Sequence, residues 1–146
     1  NTISQKTAYL ATAAKDIKDM LYDIERLYNA QSSEEQTFLR NLRYQILHSV
    51  QIFQNVCNDE ETMEAMEDAY KQIADSNKNS MTLIHDILNN HTIPSEMTTI
   101  AINDLHLSKS FTKALRNVLR LQTNVPLENG DDLAVEYIEE QITNSD

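Results

Sequence analysis

HTIPSEMTTIAINDLHLSKSFTKALRNVLRL, residues His91 to Leu121, decides how this chain folds. Pro94 suits the first turn of a helix, where its missing N–H costs nothing, and Glu96 suits the positive end of the helix dipole. From there Met97, Ile100, Ala101, Asp104, Leu107, Phe111, Leu115, Val118 and Leu121 recur by threes and fours, the spacing of one helical face. Asp104 is the single acid on that apolar stripe. Lys109, Lys113, Arg116 and Arg120 lie opposite it, staying within about 60° of one another at 100° per residue. They are four of the chain's 12 bases. The plain reading is a solvated face that balances an acidic neighbour; the sharper one is an interaction surface for an anionic partner.

Upstream, three more segments repeat the pattern. Ile3, Leu10, Ala13, Ala14, Ile17, Met20, Leu21, Ile24, Leu27 and Tyr28 define a first helix that should end near Ala30. Ser32 with Glu35, or Ser33 with Gln36, forms a capping box for a second helix. That helix turns Leu39, Leu42, Ile46, Val50, Phe53 and Val56 inward and stops at Asn58. Asn58 with Glu61 reads as the next cap, and Met63, Met66, Tyr70, Ile73, Asn77, Met81, Ile84 and Leu88 form the stripe of a third helix. Asn77 interrupts it as Asp104 interrupts the fourth. Asn89 and Asn90 suit a left-handed helix end. With connections this short, neighbouring helices must run antiparallel, so the expected fold is all-α, an up-down four-helix bundle over residues 1–122. Residues 123–146 are an acidic linker and tail, in which Leu133, Val135, Tyr137, Ile138 and Ile142 could make a short amphipathic helix that docks weakly or stays disordered.

Composition narrows the function. One Gly and two Pro leave little material for hairpins, phosphate-cradling loops or nucleophile elbows. The net charge of −11 opposes binding to a phosphate backbone, so nucleic acid is excluded as a partner. That charge is uneven: residues 1–122 hold 16 acids and all 12 bases, whereas 123–146 hold 7 acids and no base. No apolar run reaches the roughly 18 to 20 residues of a membrane span, and nothing resembles a signal peptide. Cys57 is alone, which fits a reducing cytosol. The start at Asn1, without an initiator Met, points to a piece cut from something longer.

No catalytic, cofactor or metal site is expected. Asp16, Asp19 and Asp23 share one side of the first helix, and Asp19-x-x-x-Asp23 has the spacing at which two carboxylates can share a cation, but solvated surface acids explain them. Glu61, Glu64, Asp68, Asp75 and Asp86 lie opposite the third apolar stripe. No Glu is followed three residues later by His, so the di-iron bundle pattern is missing. His48, His85, His91 and His106 have no partner at metal-ligand spacing. His48, exposed in mid-helix, raises a histidine phosphotransfer bundle, without the Lys and Gly that accompany such a residue. Asp104 needs company, because a bare carboxylate in an apolar seam costs several kcal/mol or takes up a proton. The candidates are Asn77 across the core, Asn103, Ser108 or Arg43. A buried polar contact of Asn77, Asn103 and Asp104 that fixes helix register is the first reading, a ligand or metal site the second.

The segment from Ile93 to Thr99, IPSEMTT, followed by Asn103-Asp104-Leu105, resembles the last helices of the PhoU-like cytosolic domain attached to bacterial sodium-dependent phosphate cotransporters. The likeness covers about thirty residues. Asp19-x-x-x-Asp23 and Glu64-x-x-x-Asp68 fit the acid-x-x-x-Asp spacing by which PhoU proteins hold metal clusters. In the second PhoU motif, however, His106 and Leu107 stand where Glu and Arg are expected and Ser108 to Ser110 replace Ile-Gly-Asp, so no metal cluster is expected. The resemblance implies a non-catalytic regulatory or interaction domain of a phosphate transporter, at the cytoplasmic face of the bacterial plasma membrane. Its expected partners are the transporter's membrane domain or cytosolic loops, or a second copy in a homodimer. The alternative is a stand-alone signalling or adaptor bundle, including the phosphotransfer variety.

Overall fold

A computed structural model describes residues 1–28, 33–89 and 95–123. Four helices occupy them: α1 (Thr2–Tyr28), α2 (Ser33–Cys57), α3 (Met63–Asn89) and α4 (Ser95–Thr123). The chain is an all-α four-helix bundle, as the four apolar stripes require. The expected boundary at residue 122 falls one residue inside the end of α4. His91, Pro94 and residues 124–146 lie outside the described residues.

Local chemistry sets the ends of the helices. The Asn1 side chain caps α1, its Oδ1 accepting from the N–H groups of Ile3 at 2.8 Å and Ser4 at 3.3 Å. After Cys57 the chain turns through Asp59, whose φ of 58° is left-handed. There the Glu60 N–H donates to the Asn55 carbonyl at 2.8 Å and the Asp59 N–H to the Val56 carbonyl at 3.2 Å, the paired bonds of a Schellman ending. Asn58 therefore belongs to the end of α2 and does not cap α3. Thr62 sits at the start of α3 instead, its carbonyl accepting from the Ala65 N–H. Glu61 ties the turn back to α2 by accepting a 3.0 Å bond from Asn55 Nδ2.

Among the described residues α4 lies against all three other helices, most extensively α1, while α1 and α2 approach only sparsely and α1 and α3 do not meet. The bundle is thus built around α4, whose packing on α2 is more extensive than that of α1 on α2. Its main apolar cluster gathers Met20, Leu42, Met66, Phe111, Leu115 and Leu119, with smaller clusters around Leu39 and Ile100 and around Ile84 and Leu105. Fully burying a side chain of this size contributes about 1.5–3 kcal/mol. Small residues of α4, Ala101, Ser108, Thr112 and Ala114, are all buried and let the neighbours come close.

Position within the bundle overturns one expectation. Read as amphipathic, α4 should keep Lys109, Lys113, Arg116 and Arg120 on an outer face. With neighbours on three sides, every residue from Ala114 to Leu119 is buried, Arg116 included at 2% exposure.

Candidate functional site

The chemistry-bearing side chains of the described residues concentrate on one ridge of α4. Asp104, Ser108, Thr112 and Arg116 follow at intervals of four, and all are essentially sealed from solvent. A ridge of that spacing drifts around its helix by about 40° per step, so successive members meet different neighbours.

Asp104 meets α1. Its carboxyl is fully buried, and neither oxygen receives a bond from an N–H or hydroxyl donor. The group in hydrogen-bonding reach is another carboxyl, that of Asp23. Two carboxyls bond only when one carries a proton. Burial raises the Asp104 pKa to about 8, and the hydrogen bond and negative charge of Asp23 push in the same direction. Asp104 therefore holds a proton at neutral pH. Asp23 is half-buried and also accepts from Asn103 Nδ2 at 3.4 Å. Two turns away on α1, Asp16 is buried as well. Burial raises its pKa, opposed by a hydrogen bond with Ser110 and the charge of Lys15, and its Oδ2 is unpartnered.

Ser108 meets α3, where Asn77 Nδ2 donates to the Leu105 carbonyl at 2.7 Å and to Ser108 Oγ at 3.4 Å. Thr112 meets α2: its Oγ1 lies 2.7 Å from Ser49 Oγ, wholly buried. Arg116 returns to α3, its guanidinium 4.2 Å from the centre of the Tyr70 ring and 4.0 Å from Glu67. Its Nε and Nη2 also donate to Asn117 Oδ1. One turn on, Arg120 grips the same Glu67 through two bonds of 2.6 and 3.0 Å, a bidentate pair.

The expected trio of Asn77, Asn103 and Asp104 is therefore divided. Asn77 and Asp104 are buried, but Asn77 serves Ser108, Asn103 is exposed, and the partner of Asp104 is an acid of α1 that sequence spacing did not suggest. The basic stripe divides too: Lys109 is exposed, Lys113 and Arg120 are half-buried, and Arg116 is inside. Glu67, which joins Arg116 and Arg120 to α3, had one available signal, since it stands off the outer acidic face formed by Glu64, Asp68 and Asp75.

Other candidates stay apart. Asp19, Glu64 and Asp68 are exposed, as are His85, His106 and Cys57. No group of three or more His, Cys, Asp or Glu among the described residues could hold a metal ion. His48 is half-buried, stacked on Tyr44 with ring centres 6.0 Å apart. It borders a cavity of about 350 Å³ between α2 and α3, lined also by Gln45, Gln72, Ser76 and Ser80, with no Lys among its lining residues. A second cavity, of about 560 Å³, opens at the bundle end between Cys57, Glu60, Glu61, Leu119 and Gln122.

Fold and ridge together define a four-helix bundle whose fourth helix is held by buried polar pairs to each of the other three. No family model, no curated protein and no solved structure matches the chain. No helix among the described residues is long and apolar enough to cross a membrane.

Proposed function

We propose that this bundle is a non-catalytic regulatory or interaction domain of a sodium-dependent phosphate transporter, working at the cytoplasmic face of the bacterial plasma membrane through its outer helix surfaces. The observation that carries the reading is the inward engagement of the polar groups. Asp104 with Asp23, Ser108 with Asn77, Thr112 with Ser49, and Arg116 with Tyr70 and Glu67 hold helices together. Side chains occupied in this way are not poised to meet a substrate, which leaves the outside of the bundle to act. The transporter context comes from the resemblance of residues 93–105.

Lys109 is the exposed member of the fourth-helix basic face, suited to an anionic loop or lipid surface. The test is sodium-driven phosphate uptake in vesicles carrying the full reading frame that encodes the bundle, compared with a version lacking residues 1–123 and with Lys109→Glu. Removal should change the uptake rate, and charge reversal should shift it the same way. Identical uptake in all three would overturn the proposal.

A further inference from the structure

The side of the bundle between α2 and α3 carries a cleft that the inward pairings of α4 leave unused. Asn41, Tyr44, Gln45 and His48 stand within an arc of about 100° on α2 and line it, and Gln72 and Ser76 line it from α3. Small residues make the gap. Ala69 and Ser76 cannot fill the space that a Leu or Met would, so about 350 Å³ stays open beside the buried Ile73. In a chain with 24% charged residues, no Asp, Glu, Lys or Arg lines this cleft. An uncharged ligand therefore suits it, and a volume at the low end for ligand pockets limits that ligand to one ring system.

Two features narrow the chemistry further. The Tyr44 and His48 rings are parallel within 4°, their centres are 6.0 Å apart, and Tyr44 is 69% exposed. Planes in contact lie about 3.5 Å apart, so these rings are offset sideways and part of each face stays open to a third flat ring. The amides are the second feature. Asn41, Gln45 and Gln72 each offer a carbonyl acceptor beside an NH2 donor, the pair that meets the N6 donor and N7 acceptor on the edge of adenine. Gln45 is incompletely used: its Nε2 donates to Ser76 Oγ at 3.1 Å, while its Oε1, shut off from solvent, has no partner. An N–H brought in between the two helices would satisfy that oxygen. A sugar could use the same amides, but it has no π-face to continue the stack. The net charge of −11 that repels a phosphate backbone is no obstacle to a neutral base.

We propose that the α2–α3 cleft binds a purine base or its nucleoside, the ring stacked on Tyr44 and the polar edge read by the amides of Asn41, Gln45 and Gln72. The proposal does not depend on the transporter reading. Adenine, adenosine and glucose, each titrated into the isotope-enriched full chain, provide the test. Adenine or adenosine should move the amide signals of Asn41 to His48 and of Gln72 to Ser76, and leave those of Asp16 to Asp23 on α1 in place. The tighter of the two identifies the free base or the nucleoside as the ligand. Tyr44→Ala should weaken binding by at least about fivefold, the equivalent of one lost base stack, whereas Tyr44→Phe should keep it. Tyr44 is exposed, so neither change disturbs the bundle. Signals that stay still at millimolar adenine and adenosine would overturn the proposal, as would binding that survives Tyr44→Ala intact. Glucose moving the same signals with an affinity equal to that of adenosine or better would assign the cleft to a sugar and overturn it too.

Discussion

Replacing Asp104 by Asn should remove most of the pH dependence of the bundle's stability between about pH 5 and pH 8. The carboxyl is fully buried and its pKa is raised from 3.8 to about 8. A raised folded-state pKa means that the native state holds a proton which the unfolded state has already released. The stabilisation is fully present below the unfolded value and is lost as pH rises through the folded one. Within that window stability falls by up to about 1.4 kcal/mol per pH unit, or about 3 kcal/mol from about pH 5 to about pH 7. For the 114 described residues, that corresponds to a melting temperature about 12 °C lower at the higher pH. Asn keeps the shape and can donate to Asp23 without a proton to lose. Urea unfolding followed by helical circular dichroism across this pH range gives both slopes. Parallel wild-type and variant curves would refute the assignment of a proton to the Asp23–Asp104 pair.

Four further substitutions probe the rest of the bundle by equilibrium unfolding. Arg116→Ala removes a buried cation from Tyr70 and Glu67 and should cost about 3 kcal/mol, whereas removal of a solvated surface base would cost near zero. Ser49→Ala leaves the Thr112 hydroxyl without its cross-helix partner and should cost about 1–2 kcal/mol; adding Thr112→Val should cost less than the sum of the two single changes, which a double-mutant cycle measures. Asp59→Gly relieves a left-handed non-glycine residue and should stabilise by about 1 kcal/mol, provided that the Schellman bonds persist.

The sequence by itself determined the four helices, because each apolar stripe repeats at the helical period, in helices of 25 residues or more, and few Gly or Pro compete with it. It also marked Asn77 and Asp104, since a polar residue on an apolar stripe must be buried wherever that stripe packs. Only the tertiary structure decided what these residues meet. Asp104 and Asp23 are separated by most of the chain, and their approach depends on the register of α4 against α1, which no local pattern contains. The placement of Arg116 was hidden for a related reason. A stripe reveals the face a helix prefers to bury, but the number of helices surrounding it is a property of the assembled bundle. With three neighbours, α4 buried Arg116 of its basic side as well, and Tyr70 and Glu67 were there to receive the charge.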